Sequence, residues 1–173
     1  LVDSPARREI VRRIGAGESA VWILVEVGDQ EKDDAAEQML LDRLKHLEAT
    51  LELPDGDDDS VDELFPPDDS ASEPPIDDLQ LNFSLLRVSR ADSEERVFVS
   101  MLLGTESDLL EYEEPIAIPI FGRGRACFAL VGRGITEENI DTTCEFISGA
   151  CSCEVKSQNP GADLLFRANW DLL

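Results

Sequence analysis

Positive charge is what this chain has least of: 15 Lys and Arg stand against 38 Asp and Glu, for a net charge of −23. Neutralising phosphates takes clustered Lys and Arg, so the deficit argues against nucleic acid and anionic membranes as partners. It reads first as solubility. Long apolar runs are missing too, and none approaches the roughly 20 residues that a membrane-spanning helix needs. Histidine is reduced to His46 alone. No serine sits in a nucleophile-elbow pattern, and no pair of carboxylates stands in an apolar frame, so neither covalent nor acid–base catalysis finds its usual residues.

What is present suffices for one packed domain. A 173-residue chain with 42% hydrophobic residues can hold one sizeable core, or a small domain plus extensions. The charge is unevenly spread. Residues 52–78 carry twelve Asp and Glu and no Lys or Arg, which leaves −11 for the remaining 146 residues. Five of the nine prolines fall in the same stretch (Pro54, Pro66, Pro67, Pro74, Pro75). Like-charge repulsion and low hydrophobicity do not offset the entropy of ordering, so 52–80 is expected to be a disordered acidic insertion. Its one apolar knot, VDELF at 61–65, is either plain linker or a short partner-binding segment. The DGDDD run at 55–59 is not an EF-hand, because position twelve counted from Asp55 is Pro66 rather than Glu.

Ser4 and Pro5 form a helix opening, a hydroxyl cap followed by proline at the first helical position. Ile10, Val11 and Ile14 give that helix one apolar face, and Gly15 closes it. Arg7, Arg8, Arg12 and Arg13 are expected on its outer side, as a solvated face or as a docking surface for an acidic segment. Residues 20–27, AVWILVEV, read as a strand covered on both faces. A polar turn follows, with Asp33 or Asp34 as the cap of a helix whose stripe is Ala36, Leu40, Leu44, Leu47 and Leu51. LQLNFSLLRVS at 79–89 returns to strand character. The stretch 92–95 offers a capping box, and RVFVSMLL after it reads as a crossover helix ending at Gly104.

IAIPIF and RACFALV then pair as a hairpin about Gly122, Arg123 and Gly124. Pro119 within the first of them argues for an edge position or a bulge. Thr136, Glu137 and Glu138 open the final helix, with Ile140, Cys144 and Ile147 facing inward. In the tail, Asn159, Pro160 and Gly161 form a turn, and DLLFRANW brings Trp170 to the core.

This order (helix, strand, helix, strand, helix, strand–turn–strand, helix) resembles thioredoxin-like domains over roughly residues 5–149. The resemblance implies an α/β fold with a central mixed sheet flanked by helices. On that reading residues 150–173 are a Cys-containing C-terminal extension packed on the domain. The resemblance places Pro115 where the family has its cis-proline, and Gly132 where it has a glycine before the last helix. A cis X-Pro bond is usually kept for a tight turn. The departure lies in the loop after the first strand. Thioredoxin chemistry needs Cys-x-x-Cys there, where the helix N-terminus stabilises a thiolate. Here GDQEKDD at 28–34 contains no thiol, which excludes oxidoreductase activity from that position.

As a whole, the chain also resembles the C-terminal portion of an uncharacterised family of exported bacterial proteins. The pieces that carry this are SPARREIVRR, SAVWILVE, FGRGR and CSCEVK…NPGADLL…W. The resemblance implies a periplasmic or extracytoplasmic location, and a segment preceded by another thioredoxin-like region and an export signal. The opening on Leu1 rather than methionine reads as an excised or processed segment.

Cys144, Cys151 and Cys153 are the one dense cluster of reactive residue types. Three cysteines within ten residues lean towards disulfides and an oxidising compartment. Four readings stay open. Cys144 forms a structural disulfide with a tail cysteine, worth about 2–3 kcal/mol through loop closure; the Cys151/Cys153 pair is redox-active with Cys144 resolving; three thiolates bind a soft metal; or the thiols are free and buried. The metal reading lacks a fourth ligand, since His46 lies on a distant helix. Cys127 reads as a small core residue.

The glycine pairs Gly122/Gly124 and Gly132/Gly134 do not make a nucleotide fingerprint, because the first joins two strands and lacks the third glycine. No cofactor is therefore expected. Arg123, Arg125 and Arg133 are expected to form a small basic rim, either solvated or a docking edge for a carboxylate or a protein. The reading that collects these features is a noncatalytic protein-binding or structural domain. The alternative is a thiol–disulfide protein working through the C-terminal cysteine cluster. Neither partner nor oligomeric state follows from the residues.

Overall fold

The computed structural model describes residues 3–51, 80–149 and 161–170. Most of the expected acidic insertion (52–79), Cys151, Cys153, and Asn159 with Pro160 lie outside the described residues. The elements are α1 (Pro5–Gly15), β1 (Ala20–Glu26), α2 (Gln30–Thr50), β2 (Phe83–Ser89), α3 (Arg96–Leu103), β3 (Ile116–Phe121), β4 (Arg125–Ala126), β5 (Leu130–Val131), α4 (Glu137–Ser148) and β6 (Ala162–Asp163). The sheet runs β2-β1-β3-β4-β6, with β5 also paired to β3. β1 and β2 are parallel, with Ala20 opposite Phe83, and β3 is antiparallel to β1. The molecule is thus an α/β protein with a mixed open sheet flanked by helices.

The period of two in β1 builds both layers at once. Val21, Ile23 and Val25 face α1 and α3, where they meet Ile10, Phe98 and Leu102. Ala20, Trp22 and Leu24 face α2 and α4, against Leu40, Leu44, Ile140 and Cys144. Residues 20–25 are all fully buried, as a strand covered on both sides requires. The α2 stripe packs as its spacing predicts, with Ala36, Leu40, Leu44 and Leu47 buried. Arg43 clamps this helix to α4 through a fork-like pair of bonds to Asp141, at 2.5 and 2.6 Å.

Helix α1 opens as expected, with Ser4 as its cap and Pro5 in the first turn. Gly15 is its last helical residue, as expected; Ala16 is the C-cap, and the left-handed backbone falls to Gly17, φ 98°. The arginine cluster does not lie wholly outside. Arg7 is buried, its guanidinium 5.1 Å from the Phe98 ring, whereas Arg12 and Arg13 pair with Glu9. The reason is helical phase, since Arg7 stands one turn before the buried Ile10 on the core side.

Helix α3 forms where expected, but the capping box before it does not. Its cap position is Glu95, whose side chain makes no cap bond to α3. That carboxylate is buried and turns to α1, accepting from Ser4 Oγ at 2.6 Å and from the Ala6 N–H at 2.7 Å. Asp92 instead accepts from the Glu94 N–H within a turn.

Pro119 sits in a central strand and not at an edge, because β3 lies between β1 and β4. The bulge does occur. Ile120 and Phe121 pair with Ala126 and Arg125, while Ile116 and Ala117 pair with Val131 and Leu130. Ile118 and Pro119 therefore face three residues, Cys127, Phe128 and Ala129. The carbonyl of Pro119 accepts from the Cys127 N–H, so its nitrogen, which has no hydrogen, points to the same bulged side. The missing donor faces the one place where the ladder is already broken.

Beyond the hairpin, β6 pairs with β4, and Leu164 and Phe166 return to the α1/α3 layer. Trp170 is half-buried, edge-on to Phe166 at 6.2 Å between centroids, and is not a core residue. No described helix is long and apolar enough to cross a membrane.

Candidate functional site

The corner where β1 gives way to α2 is held by carboxylates. Asp29 caps α2, its side chain accepting from the Lys32 N–H. Asp33 is buried and reaches back to the end of the strand, accepting from the N–H groups of Val27 (3.0 Å) and Gly28 (2.9 Å). Neither residue expected as the cap serves there: Asp33 closes the strand-to-helix turn by satisfying donors that the sheet leaves over, and Asp34 pairs with Arg87 at 3.0 Å.

The segment leading into β3 crosses beside this corner, and two cations fix it. Arg90 donates to the carbonyls of Tyr112 (2.9 Å) and Glu114 (3.2 Å). Lys32 Nζ pairs with the Glu114 carboxylate at 2.7 Å and reaches the Glu113 carbonyl at 3.5 Å. Burial lowers the Arg90 pKa, opposed by the charge of Asp33, whereas the bond to Glu114 raises that of Lys32. Pro115 is buried at the foot of β3, and its carbonyl accepts from the Gly132 N–H at 2.8 Å. The described residues contain no cis peptide bond, so the cis-proline expected at Pro115 is a trans one. The trans form feeds the chain straight into β3, leaving the Pro115 carbonyl to bond across to Gly132.

Between α2 and these two loops lies a cavity of 540 Å³. Ala35, Ala36, Met39, Pro115 and Ile135 supply its apolar lining, and Lys32, Glu114 and Arg133 its charged lining. A second cavity of 490 Å³ shares Ala35 and Met39 and continues along α2 past Asp42, Arg43 and His46 to Glu137. Together they make a groove along one side of α2. Gly132 is required at its wall. Its φ is 48°, and a Cβ there would come within 3.0 Å of the Glu114 side chain.

The expected basic rim does not assemble. Arg123 is at the tip of the β3–β4 turn, and Arg125 in β4 pairs with Asp163 at 2.8 Å. Arg133 follows β5 at the opposite end of β3, because the hairpin strands run antiparallel. A six-residue strand places the two ends about 17–20 Å apart. Of the three, only Arg133 lines the groove, where it is exposed and makes no ion pair among the described residues.

Cys144 is fully buried on the inner face of α4, and Cys127 lies buried in the bulge. Both are free thiols. Burial pushes the Cys144 pKa up to about 12, with the Asp141 charge adding to it. Burial raises Cys127 as well. The indole Nε1 of Trp22 is buried without a well-formed hydrogen bond, and the Cys144 sulfur is its polar neighbour. Neither thiol resembles the exposed, electropositive setting of a reactive cysteine. Among the described residues, no group of three or more His, Cys, Asp or Glu is arranged to hold a metal ion.

Lys32, Met39, Arg90, Glu114 and Ile135 were not singled out by the sequence. Nothing local marks them, because they become neighbours only when α2, the loop before β3 and the turn after β5 converge. No family model matches the chain, and neither a curated protein nor a solved structure matches it.

Proposed function

We propose that the chain is a noncatalytic, thioredoxin-like protein-binding domain of an exported bacterial protein, and that the groove beside α2 is its binding face. What supports the fold name is the element order together with a parallel β1–β2 pair, an antiparallel hairpin and helices on both faces. The observation that carries the noncatalytic reading is the corner at the end of β1. Asp33 occupies it, committed to the Val27 and Gly28 amides, and among the described residues no cysteine or serine lines the groove next to it. The alternative, thiol–disulfide exchange through Cys144, Cys151 and Cys153, draws no support from Cys144, whose buried thiol resists ionisation.

The test combines insulin reduction in the presence of dithiothreitol with thiol counting before and after unfolding. The expected result is no rate above dithiothreitol alone. With Cys151 and Cys153 replaced by serine, no thiol should react in the native state and two should react in denaturant. Catalysed reduction that disappears in that double variant would replace this reading with the redox one.

A further inference from the structure

Next to the groove stands a shoulder that the fold presents but does not use. Residues 110–113 are four consecutive exposed positions that alternate apolar and acidic: Leu110, Glu111, Tyr112, Glu113. Leu110 is 67% exposed and Tyr112 41%, although Leu109 beside them is buried. Exposed apolar side chains grouped beside a groove, as opposed to the single ones scattered over any surface, mark interaction sites. The C-terminal end of the shoulder is tied down. Arg90 and Lys32 hold the carbonyls of three successive residues, 112 to 114, from two sides. A preformed surface loses little entropy on binding.

The charges around it are unevenly satisfied. Lys32 and Glu114 neutralise one another, and Arg43 is taken up by Asp141 and Glu137. Glu111 and Glu113 make no ion pair among the described residues, nor does Asp42 further along the groove. Among the described residues that line the groove, Arg133 is the one unpaired guanidinium against them. The surplus is negative, and the net charge of −23 extends the same sign over long range.

We propose, resting on the binding role given above, that the shoulder and groove take a basic segment of another protein, one in which Lys or Arg alternates with bulky apolar side chains. The cations meet Glu111 and Glu113, and the apolar side chains meet Leu110, Tyr112 and the Met39–Ile135 floor.

The experiment is a ¹⁵N NMR titration of the full chain with a short amidated peptide alternating Lys and Leu. The matching peptide with Glu in place of Lys is the control. Shifts are expected at residues 110–114 and around Met39 and Ile135, with affinity falling as salt is added. The double variant L110S/Y112S, and separately E113K, should each bind about tenfold more weakly while retaining the wild-type spectrum elsewhere. The inference is overturned if shifts spread evenly over the acidic surface, or if L110S/Y112S binds like the wild type. Preference for the Glu peptide at the same residues would also overturn it, while leaving the binding role intact. That role fails separately, in the insulin assay.

Discussion

Cys144 lies on the inner face of α4, in the layer it shares with Trp22, and its ionisation is linked to folding. In the native protein its pKa is held at about 12, whereas an unfolded cysteine ionises near about 8.5. Below the unfolded value both states keep the proton, and the full stability is present. Between the two values only the unfolded chain loses it, so stability falls as pH rises. Cys127 adds to the same slope. Urea unfolding between about pH 8 and about pH 10.5 should show this loss, and C144A should flatten it even though the variant starts less stable. A wild-type profile no steeper than that of C144A would place the sulfur in water. At the same scale, Gly161 is fixed by contact. Its φ is 136°, and a Cβ would lie 2.1 Å from the Ala126 carbonyl oxygen. G161A should therefore cost about 2 kcal/mol or more, seen as a lower urea midpoint with β6 amides exchanging faster.

Among the elements, the docking of α1 on α3 depends on one side chain. Glu95 takes the Ser4 hydroxyl and the Ala6 N–H, and its charge faces Arg7. Its removal in E95A leaves two buried donors without their acceptor and takes away the charge facing Arg7, at a cost of about 2–3 kcal/mol. E95Q keeps one acceptor and should lose less. Hydrogen exchange should show α1 amides opening first in E95A, ahead of those in α2. Such a tie was not legible in the chain, since residues 4 and 95 are distant in sequence and a local cap was the nearer explanation. The elements themselves were legible, because each carries its own signal. β1 has an unbroken apolar run, α2 a stripe of helical period, and α4 the Thr136 hydroxyl that accepts from the Asn139 N–H. The Pro119 bulge could be anticipated from a single residue, but its central position could not, because strand order depends on pairing between distant segments. For the same reason the arginine rim does not assemble. Sequence proximity placed Arg123 and Arg133 together, and antiparallel pairing placed them at opposite ends.

For the molecule as a whole, charge is the dominant physical fact. At −23 the chain repels itself, and salt screens that repulsion with a length of about 10 Å at 0.1 M. The melting temperature should therefore rise with added sodium chloride from low ionic strength, as scanning calorimetry would show. A fall would mean that pairs such as Arg87 with Glu26 and Glu37 outweigh the general repulsion. The bulge opposite Pro119 has its own global effect. One surplus residue between β4 and β5 inverts the in–out alternation, so that Phe128 and Leu130 point to the α2/α4 side. Had the ladder continued without it, Leu130 would stand beside Ile116 in the opposite layer. The bulge that tolerates this proline thus hands Phe128 and Leu130 to the layer in which Ile140 and Cys144 of the last helix are buried, the layer that the groove borders.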